Sequence, residues 1–86
     1  MYLHLGQNVV VPQAAVIGIF DLDNTTGSHL TRAFLSRAEK AKLIINVSED
    51  LPKSFILCRE GTSTKIYLSQ LSSMTLLRRS ESESFE

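Results

Sequence analysis

The residues with most chemical promise are Phe20-Asp21-Leu22-Asp23-Asn24-Thr25, directly behind the apolar run Val16-Ile17-Gly18-Ile19. An Asp-x-Asp-x-Thr signature after a strand is how phosphatases with an aspartyl nucleophile begin their active site. The first carboxylate attacks phosphorus, the second is a general acid, and Mg²⁺ offsets the phosphate charge. That chemistry also needs a later lysine and further acidic metal ligands. It sits on a doubly wound parallel sheet, usually much longer than the 86 residues here. The acidic pair downstream, Glu49-Asp50, precedes an apolar strand-like run, the wrong end for a parallel-sheet site. The simpler reading is a connection. Asp and Asn bond their own backbone in turns, and acidic groups favour the start of the helix that follows.

Other constellations are weaker still. With Asp21 and Asp23 at the first and third ligand positions of an EF-hand, Thr26 falls where glycine is required. Arg32 then falls where a bidentate glutamate is required. His4 and His29 have no metal-type partner spacing. Ser69, Ser72 and Ser73 form no nucleophile elbow. Cys58 is the single cysteine, inside Phe55-Ile56-Leu57-Cys58, and reads as a small core hydrophobe in a reducing compartment. The residues therefore point to a protein that is not an enzyme. They suggest no cofactor, no metal and no small-molecule substrate.

A chain this short builds one domain with a small core. Without a disulfide, self-association is the expected support. No apolar stretch approaches the roughly 20 residues of a membrane-spanning helix. The N-terminal residues lack a signal peptide's basic start and long apolar core. A cytoplasmic protein with no membrane partner is expected. Net charge is zero, with nine Lys/Arg and nine Asp/Glu. Glu81, Glu83 and Glu86 lie in Ser80-Glu81-Ser82-Glu83-Ser84-Phe85-Glu86, which reads as a disordered acidic tail over 80–86. The rest, a single domain over 1–79, is mildly basic.

The elements that position these residues follow from periodicity. Tyr2–Leu5, Val9–Val11 and Ala15–Phe20 read as three short strands with tight connections, an antiparallel meander. Ser28 is the expected N-cap of a helix to about Ala41, with Leu30, Phe34, Ala38 and Ala41 on its apolar stripe. Arg37 projects close to the middle of that stripe. It reads either as an arginine lying along the core edge with its head in water or as an interface or ligand arginine, and is the candidate oligomer-interface residue. Leu43–Val47 is either a strand or an extended exit from the helix. Ser54–Arg59 and Thr64–Ser69 read as a hairpin. Ser72 or Ser73 then caps a short helix to Arg79. The fold class is α+β: a β meander, one central amphipathic helix, a β hairpin and a short C-terminal helix.

Several stretches, taken in order, resemble a known family. They are Met1-Tyr2-Leu3-His4-Leu5-Gly6, Val16-Ile17-Gly18-Ile19-Phe20-Asp21, Pro52-Lys53-Ser54 and Ile66-Tyr67-Leu68-Ser69. Leu71-Ser72-Ser73-Met74-Thr75-Leu76-Leu77-Arg78-Arg79 completes the set. Together they look like the RemA/RemB family of bacterial extracellular-matrix (biofilm) regulators, most like its RemB branch. The resemblance implies a LytTR-like fold and a homo-oligomer of the ring-forming kind. It also implies a DNA-binding transcriptional regulator of matrix genes.

In the RemA branch, arginines implicated in DNA contact lie after the second strand and in the loop before a later strand. Here the first stretch is Pro12-Gln13-Ala14-Ala15, without a base. The second is Ser48-Glu49-Asp50-Leu51-Pro52-Lys53, where Lys53 alone is basic. DNA affinity comes largely from Lys and Arg against phosphates. The candidate DNA-binding residues are accordingly Lys53, Arg59, Lys40 and Lys42. The alternative, suggested by Glu49-Asp50, is a ring-forming protein-interaction scaffold of the same fold that does not bind DNA.

Overall fold

The computed structural model describes residues 1–22 and 29–83. The expectations for Asp23 to Thr26, for the Ser28 cap and for residues 84–86 lie outside the described residues. Strand β1 (Tyr2–Gly6) pairs antiparallel with β2 (Val9–Pro12) as a two-stranded ribbon. A short 3-10 turn over Gln13–Ala15 leads into β3 (Val16–Asp21). Helix α1 (His29–Lys40), β4 (Ile44–Asn46), β5 (Ser54–Glu60), β6 (Ser63–Ser69) and helix α2 (Ser73–Glu83) follow. The second sheet has the order β3-β5-β6-β4. The α+β class and the β5–β6 hairpin are as the sequence predicts. Gly61 supplies the positive φ, +61°, at the first position of the hairpin's two-residue turn.

Two connections differ from the sequence expectation. The meander stops after two strands. Pro12 and the 3-10 turn redirect the chain, and β3 pairs with β5, with Asp21 opposite Ser54. The sheet is also not wholly antiparallel, because α1 carries the chain back along the sheet. β4 therefore starts at the same end as β3 and pairs parallel with β6, Ile44 opposite Ile66.

Strand alternation sorts the apolar residues of the hairpin onto two faces. Ile56, Cys58 and Tyr67 pack under the β1–β2 ribbon and α2, with Leu3, Leu5, Val11, Val47 and Leu76. Phe55 and Ile66 face α1, with Leu22, Ala38, Phe34 and Leu35. β5 is thus apolar on both faces because it is central and covered on both.

Two buried serines tie the layers. Ser69 Oγ donates to the Leu5 carbonyl (2.6 Å) and accepts from the Leu71 N–H (3.0 Å). Ser54 Oγ donates to the Leu71 carbonyl (2.8 Å). Ser72 is the N-cap of α2: its hydroxyl accepts from the Thr75 N–H (3.1 Å). α2 continues to Glu83, so the expected disordered tail is corrected for residues 80–83. Nothing in Arg78-Arg79-Ser80-Glu81 breaks a helix. Its flank is also held, since Gln13 Nε2 donates to the Ser80 carbonyl (3.1 Å) and an Arg79 guanidinium N–H to the His4 carbonyl (3.4 Å).

Candidate nucleic-acid interface

The two ends of the four-stranded sheet carry different chemistry. β3 and β4 end, and β5 begins, at one end. The Leu22 N–H donates to the Lys53 carbonyl, and the Lys53 N–H to the Ser69 carbonyl (2.9 and 2.8 Å). Asp21 and the loop Ser48–Pro52 lie here, with Glu49, Asp50 and Leu51 exposed. The turn of the β5–β6 hairpin forms the other end. There the Ile66 N–H donates to the Leu43 carbonyl (2.9 Å), which brings the C-terminal end of α1 beside the hairpin.

The candidate residues divide accordingly. Lys40, Lys42 and Arg59 are exposed at the hairpin end. Arg59 continues the Phe55/Leu57 face of β5, the face that α1 covers, so its side chain emerges on the same side as the helix end. Its Nε–H donates to the Gly61 carbonyl at 3.4 Å, which holds the guanidinium over the turn. Lys53 is exposed at the opposite end of β5, about 20 Å away at the usual rise per strand residue. It does not share a surface with the other three. Lys65 stands opposite Cys58 and therefore on the other face, beside Glu60.

Arg37 differs from its expected place. Ala38, Phe34 and Leu35 make the buried stripe of α1, while Leu30 and Ala41 are exposed. The stripe is rotated relative to the sequence reading, and Arg37 is exposed in the last turn with Lys40. Positions three apart are neighbours on a helix surface. Arg37 therefore extends the cationic end, in which Glu39 is the acidic member on α1. Cations in a last helical turn also suit the helix dipole, so Arg37 and Lys40 have a structural reason to be basic.

Lys42 has this reason less directly, since it lies beyond the last residue of α1. Its φ is +62°, in the left-handed region. The Lys42 N–H donates to the Glu39 carbonyl and the Leu43 N–H to the Ala38 carbonyl, both 3.0 Å. This is a Schellman motif with Lys42 at the position where glycine is usual. A residue with a Cβ costs about 1–2 kcal/mol in that conformation. The sequence signal was the missing stop: Lys40-Ala41-Lys42-Leu43 ends a helix without glycine or proline.

The phosphatase constellation does not assemble among the described residues. Glu49 and Asp50 do follow a strand, β4, which corrects their assignment from sequence. They share an end with Asp21. Yet β5 and β6 separate β3 from β4, roughly 14 Å at the usual strand spacing. No group of three or more His, Cys, Asp or Glu among the described residues is placed to hold a metal. Burial, with Glu60 nearby, raises the Cys58 thiol to about 11. Burial also raises the Tyr67 phenol, with smaller contributions from Cys58 and Glu60. Neither group is primed for nucleophilic work. No described helix is long and apolar enough to cross a membrane.

The described residues thus form a small two-face α+β domain with cations gathered at the hairpin end of its sheet. Comparison with known proteins gives the family. The model described as "RemA-like: Extracellular matrix regulatory protein A-like" matches residues 2–79. Extracellular matrix regulatory protein B of Bacillus subtilis (strain 168) is 37% identical over 81 residues. The match covers 94% of this chain and 91% of that protein. The chain belongs to the RemA-like family of extracellular-matrix regulatory proteins.

Proposed function

We propose that this protein is a homo-oligomeric, non-enzymatic regulator that binds DNA through the hairpin end of its sheet. The observation that carries this reading is the convergence of Lys40, Lys42 and Arg59, with Arg37, on one end and one side of the fold. Each protomer offers few cations, so useful affinity requires several copies to engage one duplex. Self-association has its own support. β3 is an edge strand, and Ile17 and Leu30, 59% and 78% exposed, accompany the half-exposed Phe20 along that edge. Unpaired edges with exposed apolar side chains favour association. Family membership supports matrix genes as the regulated set.

A second reading has one observation in its favour. The opposite end presents Glu49 and Asp50 with Leu51, 86% exposed, between the acids and Pro52. An acidic loop with an exposed leucine suits docking to a protein and repels phosphate. Under this reading the assembly is a scaffold without DNA. Titration of a labelled duplex into a protein of known solution mass separates the two. Salt-sensitive binding by the oligomer supports the regulator. A well-formed oligomer that ignores DNA at low salt supports the scaffold.

A further inference from the structure

We infer that Lys42 is held in its left-handed conformation because it is the phosphate-anchoring cation of the hairpin end; the inference rests on the DNA-binding reading above. Glycine would satisfy the same Schellman hydrogen bonds without the Cβ penalty. The Lys42 side chain is exposed, so packing does not explain a lysine there. It lies beyond the last residue of α1, where cations complement the dipole less directly. What the position does supply is placement. The next residue, Leu43, is fixed on both sides, its N–H to the Ala38 carbonyl and its carbonyl to the Ile66 N–H (3.0 and 2.9 Å). Lys42 is thereby a cation on a rigid corner between α1 and the hairpin, at the end and on the side where Arg59 emerges. Strain kept at a residue with no packing role points to function.

The chemistry is that of a phosphodiester anion and not a base edge. Lysine meets a phosphate as a flexible point charge, without the planar fork of arginine. Lys42 therefore contributes affinity without sequence preference.

Two variants test this, Lys42→Gly and Lys42→Arg, on two unrelated duplexes of equal length across about 50–200 mM salt. Lys42→Gly is expected to keep or raise Tm, by up to about 8 °C. It is expected to weaken binding equally on both duplexes. The slope of log K against log salt should fall by about 0.9 for each Lys42 in contact with a phosphate. Lys42→Arg is expected to keep both affinity and slope. Wild-type binding that Lys42→Gly leaves unchanged overturns this inference alone, as does a Tm several degrees lower in Lys42→Gly. Absence of salt-sensitive binding by the wild-type protein overturns the DNA reading and this inference with it.

Discussion

Replacing Ser69 with alanine removes the contact that joins the ribbon to the main sheet. Ser69 is fully buried, with 0% of its surface exposed. The register of β1 on β2 slips between His4 and Gly6, so the Leu5 carbonyl leaves the regular ladder and the Ser69 hydroxyl takes it at 2.6 Å. The same oxygen accepts from the Leu71 N–H at 3.0 Å, which sets the turn into α2. Ser69→Ala leaves one fully buried carbonyl and one half-buried N–H without this partner. An unsatisfied buried group costs about 1–3 kcal/mol, and the half-buried N–H recovers part of its loss from water. The expected destabilisation is about 2–3 kcal/mol. For a domain of this size that lowers Tm by about 8–24 °C. The assay is thermal unfolding followed by far-UV circular dichroism at fixed protein concentration, beside Ser63→Ala. Ser63 is exposed at the hairpin turn, and its loss should change stability by less than about 0.5 kcal/mol. A Ser69→Ala protein as stable as Ser63→Ala would refute the assignment of Ser69 as the tie between the two sheets.

Two further outcomes probe the core and its chemistry. At Gly18 an added Cβ would lie 2.7 Å from the Phe20 ring, which stacks on Phe55 at 4.8 Å. Gly18→Ala should therefore push Phe20 off Phe55 and cost about 1–2 kcal/mol in denaturant unfolding; unchanged stability would show the ring moves freely. Cys58, with its thiol raised to about 11, should resist alkylation at pH 8 in the native state and react after unfolding. Because burial raises this acid's pKa, its contribution to stability is complete below the unfolded value near 9 and is lost as pH rises toward 11. Cys58→Ala should flatten the stability profile between those values. An unfolding curve equally pH-dependent with and without Cys58 would reject that source.

Much of the fold was legible because local signals agreed. The β5–β6 strands, their glycine turn and the Ser72 cap each follow from a few adjacent residues. Long-range pairing was not legible. Nothing in Val16–Asp21 says whether it continues a meander or crosses to β5, and the parallel β4 depends on where α1 sets the chain down. The tail reading failed at residues 80–83 because polarity alone does not oppose a helix that is already nucleated and held by Gln13 and Arg79. The site was half legible. Composition supplies the cations, but only the register shows that Lys53 and Arg59 lie at opposite ends of one strand. The apolar stripe of α1 was misplaced because Leu30 is exposed, which puts Arg37 on the surface at the cationic end and not in the middle of the stripe.

The central claim is tested most directly by fluorescence anisotropy of a labelled duplex against three proteins: wild type, Lys40→Glu/Arg59→Glu and Lys53→Glu. The account expects salt-sensitive binding by wild type and by Lys53→Glu. It expects the double variant, folded and of the same mass in solution, to lose at least tenfold in affinity at about 50 mM salt. Full affinity in the double variant, or loss confined to Lys53→Glu, would contradict a DNA interface at the hairpin end.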